Sequence, residues 1–263
     1  MAAQAPPAPF SLWTYNIRKG KGPWGNRAGW VEPVAAALAA CGPDILLCQE
    51  VYHGRTQRLQ QSQVMAEALH LVPYYMANAR RRHGHWGNAT LTRHRATALK
   101  RWDISTNPIE RRGALYTRLL IGTQPLHIFN VHLGLSQKQR LIQVRKLAHL
   151  MALACPAQEP VIIAGDFNDW NNRLSDTLRT GLGVTEVFDE NLSRRGFGTY
   201  LRLLAGRGPK IQPARTFPAA MPMLQLDRIY VRGFKVGSAK VMHGILWSRL
   251  SDHAPIVAEL ELA

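Results

Sequence analysis

The chain has 263 residues, 46% of them hydrophobic, enough to build a sizeable core in one large α/β domain. No stretch is long and apolar enough to read as a transmembrane helix, and Met1 to Phe10 lacks the basic start and apolar core of a secretory signal, so a soluble, cytoplasmic chain is expected, with residues 1–9 a flexible tail and 10–263 one domain. Lys and Arg number 33 against 17 Asp and Glu, and the net charge of +16 creates a field that attracts polyanions such as nucleic acid or anionic phospholipid, although it equally describes an arginine-rich solvated surface. Cys41, Cys48 and Cys155 form no CxxC or Cys/His pattern; they read as reduced core residues, which excludes a disulfide or zinc framework.

In chain order, Leu12 to Ile17 predicts a first strand ending at Asn16 in the glycine-punctuated basic loop Arg18-Lys19-Gly20-Lys21-Gly22-Pro23. Val31, Val34, Ala35 and Leu38 recur at helical spacing within 30–40, and Asp44 to Glu50 predicts a buried strand whose far end carries a carboxylate. Residues 56–71 read as a helix. The most basic portion follows, Arg80-Arg81-Arg82-His83-Gly84-His85-Trp86-Gly87-Asn88, before a strand over 89–93. A basic loop holding Arg82 and Trp86 can grip phosphates and stack on a base, and it equally reads as an exposed loop without a partner.

Segments 96–104 and 114–121 read as structural strands. In Leu126 to Leu133 strand alternation puts Ile128, Asn130 and His132 on one face, with the polar groups toward its C-terminal end. Ser136 is placed to cap a long helix through Leu153. Pro160-Val161-Ile162-Ile163-Ala164 predicts a buried strand that breaks at Gly165 into Asp166, Asn168 and Asp169. Residues 172–181 predict a short helix, 184–188 a short strand, and 191–215 a long surface excursion. Leu226 to Val231 predicts a strand with Asp227 on an apolar face, and Ser251-Asp252-His253 opens the last strand, over 251–258.

The polar residues at strand ends include Asn16, Glu50, Asn130, His132, Asp166, Asn168, Asp227, Asp252 and His253. No nucleophile elbow, P-loop or zinc spacing accompanies them. Carboxylates and amides with few soft ligands favour a hard ion, and Mg²⁺ takes one or two protein carboxylates while keeping waters for a phosphate-bearing substrate.

On Tyr15-Asn16, Gln49-Glu50, Gly87-Asn88, Asn130-Val131-His132-Leu133, Gly165-Asp166-Phe167-Asn168, Leu226-Asp227-Arg228-Ile229 and Ser251-Asp252-His253-Ala254-Pro255, the chain resembles the endonuclease/exonuclease/phosphatase superfamily. That superfamily includes deoxyribonuclease I, abasic-site nucleases, inositol polyphosphate 5-phosphatases and bacterial sphingomyelinases. With His132 to Leu135, Asp166 to Trp170 and Arg215 to Pro218 it resembles in particular a branch of small bacterial proteins often encoded beside a cardiolipin synthase.

The resemblance implies a four-layer α/β/β/α sandwich of two mixed β-sheets flanked by helices, with the site at one end. It implies Glu50, Asn16 and Asp252 as ligands of Mg²⁺, with Mn²⁺ an alternative. Asp166 corresponds to the residue that positions the attacking water, Asn168 to the one that holds it and the phosphoryl oxygen, and His253, oriented by Asp227, to the base or phosphorus-stabilising histidine. His132 corresponds to a second histidine directed at a phosphate oxygen or leaving group, Asn88 to an amide near the scissile phosphate, and Asn130 to a brace or substrate contact. Arg18 stands near where abasic-site nucleases carry an acid, which directs it to a substrate phosphate instead. The expected activity is Mg²⁺-dependent phosphodiester hydrolysis by a monomer, with nucleic acid the leading substrate. A phospholipid phosphodiesterase and a non-catalytic basic binder are the alternatives.

Overall fold

The computed structural model describes residues 8–25, 31–56, 60–189 and 214–263. The expected tail at 1–9 and the excursion at 191–215 lie almost entirely outside those residues. Among these residues twelve strands form two six-stranded sheets, the first in the order β11-β12-β1-β2-β4-β3 and the second β5-β6-β7-β8-β10-β9. In the first sheet β1 (Phe10–Asn16) runs parallel to β2 (Ile45–Gly54) and antiparallel to β12 (Ile256–Leu262). In the second, β7 (Gln124–His132) runs parallel to β8 (Val161–Asp166), which pairs antiparallel with β10 (Asp227–Arg232). Both sheets are therefore mixed.

Period-two alternation explains the layering. Leu12, Leu47, Ile128, Ile162, Ile229 and Ile256 point between the sheets and make one core. Trp13, Tyr15, Leu46 and Cys48 point the other way, against α1 (Glu32–Ala39), α2 (Gln61–Leu69) and α5 (Ile245–Leu250). Phe129, Val131, Val161 and Ile163 likewise meet α3 (Gln137–Ala154) and α4 (Ser175–Leu182) on the outside of the second sheet. The result is the four-layer sandwich. Ser136 caps α3 as its sequence predicts, in a reciprocal capping box with Gln139.

Several expectations are corrected. The helix expected over 56–71 is confined, among the described residues, to Gln61–Leu69, and that expected over 172–181 to Ser175–Leu182. The basic run at 80–88 is not a loop but a hairpin: β3 (Val72–Arg81) turns at 82–83 into β4 (Gly84–Thr92). The remaining strands of the second sheet, β5 (Ala98–Asp103), β6 (Gly113–Ile121) and β9 (Thr185–Glu186), are shorter than or offset from the expected ranges. β11 (Phe234–Val241) is a strand that the alternation did not single out. β12 starts only at Ile256, leaving Ser251 to Pro255 in a loop. Cys41 is exposed, whereas Cys48 and Cys155 are buried; all three are free thiols.

Candidate active site

Strand register builds the site. On the second sheet His132 pairs with Asp166 across β7 and β8, and Asp166 with Asp227 across β8 and β10, so three polar residues stand in one row at the same end. Gly165 makes that row possible, because the Val131 carbonyl oxygen passes 1.9 Å from where a Cβ would sit. From the first sheet come Asn16, at the end of β1, and the loop carrying Asp252 and His253, just ahead of β12.

Glu50 arrives by a different device. β2 does not end there; Gln49 and Glu50 together oppose Asn88 in a bulge between Cys48 and Val51, and Glu50 has φ of 53°. A bulge re-aims side chains, and a left-handed non-glycine residue is a conformation that functional sites retain at some cost.

Asp166 is the hub. Its Oδ2 accepts a hydrogen bond from Asn16 Nδ2 at 3.0 Å, and its Oδ1 accepts one from the Asn168 backbone N–H at 3.0 Å. His132 Nε2 lies 3.4 Å and His253 Nε2 4.0 Å from the same Oδ2. Burial pushes the Asp166 carboxyl up to about 7, against the opposing pull of the His253 charge.

His253 Nδ1 and Asp227 Oδ2 are 2.8 Å apart, and the Thr216 hydroxyl donates to that same oxygen at 2.6 Å. Burial alone lowers an imidazole's pKa; here it is outweighed by the charge and hydrogen bond of Asp227, with Asp166 and Asp252 adding, and His253 rises to about 10. The imidazolium is thus held by three carboxylates.

His132 has the opposite character. Burial first, then the Arg112 guanidinium, hold its pKa well below the ordinary value, and Arg112 Nη1 lies 2.9 Å from its Nε2. A guanidinium only donates, so His132 Nε2 accepts and the ring is neutral with its proton on Nδ1. Glu110 accepts from the other Arg112 nitrogen at 2.7 Å and fixes the guanidinium.

Two cations lean on the remaining carboxylates. Lys19 Nζ pairs with Glu50, and Arg18 Nε stands 3.2 Å from Asp252 Oδ2. Burial works against the Glu50 carboxylate, but the Lys19 charge and hydrogen bond hold its pKa below the usual range; burial raises that of Asp252 despite His253 and Arg18. Arg18 and Lys19 both have positive φ, 45° and 59°, which turns two consecutive long side chains into the cleft. Lys19 Nζ also lies 5.1 Å from the centroid of the half-buried Trp86 ring, while Arg82 is exposed at the hairpin tip.

Asn88 and Asn130 are drawn away from the cleft. Asn130 accepts from Gln49 Nε2 at 2.9 Å and donates to the Cys48 and Ala89 carbonyls, tying β7 to β2 and β4 across the inter-sheet core. Asn88 Nδ2 donates to the Gly113 and Asn130 carbonyls, and its Oδ1 accepts from Asn78. Both side chains are fully buried with their amide groups engaged in bonds between strands, as the bracing role expected of Asn130 requires. Asn168 Nδ2 donates to the Leu133 carbonyl at 3.0 Å, locking the loop after β8 to that after β7. Asp169 accepts from the Leu174 N–H and faces the buried Arg140. Arg112, Lys19 and Thr216 belong to the constellation although sequence reading gave them no role; Arg112 had only an Arg doublet before β6 to mark it.

Asp166, Asp227 and His253 present ligand atoms within 4.8 Å of one another and could hold a metal ion. Their short Asp227–His253 hydrogen bond makes them equally an acid–histidine pair serving Asp166. The oxygen donors of Glu50 and Asp252 and the buried, unpartnered Asp227 Oδ1 fit a hard divalent cation.

Two mixed sheets face to face, helices outside, and an Asp, Asp and His cluster where the strands end: that is the architecture of a deoxyribonuclease I-like phosphoesterase. The chain belongs to the endonuclease/exonuclease/phosphatase family, whose model matches residues 13–253. It is 31% identical over 264 residues to the uncharacterized protein YbhP of Escherichia coli (strain K12), covering 96% of each chain. Among solved structures it is similar to the Bacteroides vulgatus endonuclease/exonuclease/phosphatase (TM-score 0.75, 18% identity, 97% of this chain and 100% of that one). It is also similar to D. rerio TDP2 complexed with single strand DNA product (TM-score 0.68, 16% identity, 97% and 99%).

Proposed function

We propose that the protein is a divalent-metal-dependent phosphodiesterase that hydrolyses nucleic acid by in-line attack of water. The observation that carries this reading is the convergence on Asp166 of an amide donor from Asn16 and two histidines of opposite character, His253 charged and His132 neutral. A carboxylate raised to about 7 suits a general base working near neutral pH, where it is both available and basic. His253, its Nδ1 turned to Asp227, offers Nε2–H to a phosphoryl oxygen and stabilises the charge that grows there. Neutral His132 has its Nε2 taken by Arg112, so the guanidinium, not the imidazole, is the cation on that side.

Glu50, Asp252 and Asn16 would hold Mg²⁺ or Mn²⁺, which when bound polarises the phosphoryl oxygen and offsets leaving-group charge. Nucleic acid is the preferred substrate class because the β3–β4 hairpin sets the Trp86 ring 5.1 Å from Lys19 Nζ and leaves Arg82 exposed at its tip, a ring and a cation suited to a base and a phosphate backbone. The product complex of TDP2 shows that this fold accommodates single-stranded DNA in another protein. Phospholipid headgroups are a second reading, favoured by the apolar loops around the site. No helix among the described residues is long and apolar enough to cross a membrane.

The test is Mg²⁺-dependent cleavage of supercoiled plasmid, single-stranded DNA and RNA, with EDTA and an Asp166→Ala/His253→Ala double variant as controls. Cutting that vanishes in both controls supports the reading. Folded wild type that cuts none of the three with Mg²⁺ or Mn²⁺ overturns the nuclease part of it.

A further inference from the structure

The loops bordering the site carry most of the large apolar side chains that are exposed among the described residues. On the segment leading into β10, Met221 and Met223 are 65% and 57% exposed, and at the start of α5 Ile245 and Leu246 are 72% and 55% exposed. These pairs flank an open groove of about 480 Å³ walled by Arg215, Ala219, Pro222, His243, Ile245 and Ser248. The groove is joined to the catalytic end. The Ala219 N–H donates to the Asp252 carbonyl at 2.7 Å, the Ala254 N–H donates to the Thr216 carbonyl at 2.8 Å, and the Phe217 ring lies 5.1 Å from that of His253. Across the site, Ile109 and Leu135, on the loops before β6 and after β7, are exposed as well.

Single exposed aliphatics on a surface need no explanation, but their concentration at one end does. Charge narrows the choice. Segments 214–226 and 240–251 contain no Asp or Glu, and they carry the exposed cations Arg215, Lys240 and Arg249. Nucleic acid would satisfy those cations and leave the aliphatics in water. A second copy of the chain, packed by two-fold symmetry, would set the same acid-free face against itself. An anionic bilayer satisfies both: aliphatic side chains enter the boundary between headgroups and acyl chains while the cations meet lipid phosphates.

We propose that this end of the molecule docks on an anionic phospholipid bilayer, with Met221, Met223, Ile245 and Leu246 entering the interface beside the catalytic cleft. Docking does not depend on the nuclease reading and can be measured without turnover. The experiment is co-sedimentation of the full chain with vesicles of phosphatidylglycerol and phosphatidylcholine in equal parts, and with phosphatidylcholine alone, for wild type, Ile245→Asp/Leu246→Asp and Met221→Gln/Met223→Gln. Thermal melting reports the fold of each, and light scattering its mass. Wild type is expected to bind the anionic vesicles at least about tenfold more tightly than the neutral ones, and the aspartate variant to lose about tenfold with its melting unchanged. The milder glutamine variant, which decides the matter if the aspartates unfold the chain, is expected to lose about threefold. Absence of anionic preference, or variants that bind as wild type does, overturns the proposal. So does a wild-type dimer that the apolar substitutions dissociate, since the face then belongs to a second copy.

Discussion

The Lys19 ammonium is paired with the Glu50 carboxylate, so a residue from the loop after β1 and one from the bulge of β2 share the oxygens through which Glu50 would bind a divalent ion. Any such ion competes with the ammonium. Lys19→Met is expected to tighten Mn²⁺ binding about three- to fivefold, the worth of a partly buried pair still in reach of solvent, as followed by electron paramagnetic resonance of free Mn²⁺. Unchanged or weaker binding would mean that Lys19 does not oppose the ion.

His253 owes its charge at neutral pH to Asp227, since burial by itself drives an imidazole neutral. In Asp227→Asn the His253 pKa is expected to fall from about 10, with Asp166 and Asp252 still opposing the effect of burial, read from the pH dependence of its ring resonances. Linkage then has a defined sign. With the folded pKa raised, His253 contributes stability that is full below about 6.5 and is lost as pH rises through about 10, and wild type should lose more stability over that window than Asp227→Asn does.

Activity should follow two ionisations. Asp166 must be unprotonated to accept a proton and His253 protonated to donate, so the rate is expected to rise as pH passes about 7 and fall as it passes about 10. His253→Ala should reduce the rate by about 10² to 10⁴ and abolish the alkaline limb. A retained alkaline limb in that variant would assign it to another group.

Arg112 suppresses protonation of His132 both by its charge and by using Nε2 as an acceptor. Arg112→Met should raise the His132 pKa without bringing it to the ordinary value, because burial, the larger cause, remains. Nitrogen chemical shifts of the imidazole distinguish this from no change.

Asn130 spans the inter-sheet core, and its loss removes the 2.9 Å acceptor of Gln49 Nε2, which keeps only its longer contacts to Thr14 Oγ1 and the Leu47 carbonyl, and takes a donor from the Cys48 and Ala89 carbonyls. Asn130→Ala is expected to destabilise the fold by about 2–4 kcal/mol in urea denaturation, while the folded fraction keeps its affinity for substrate. A selective rise in KM at unchanged stability would restore the substrate role.

What the sequence determined by itself was the family, the layered α/β fold and the strand ends where its polar residues gather. The run Pro160 to Ala164 is apolar until Gly165 leads it into Asp166, and in Leu126 to Leu133 the face of Ile128 turns polar at Asn130 and His132; a buried run that turns polar toward one end has few places to sit. Local pattern failed where it was weak. Val72 to Arg81 opens on a proline and a doubled tyrosine and ends in arginines, so its basic end read as a loop, whereas pairing with β4 made it a strand. Alternation put Asn130 on the face of Ile128 without revealing that the face meets another sheet; only the opposing Cys48 and Ala89 carbonyls, remote in sequence, show what Asn130 braces. Arg112 carries no signature of its own, and the basic loop after β1 and the Arg215 to Pro218 run do not reveal what Lys19 and Thr216 do within them. Their roles arise because a charge or a donor acts over a few ångströms, and only the folding together of β6 with β7, β1 with β2, and the 214–226 segment with β10 brings them within that distance of His132, Glu50 and Asp227.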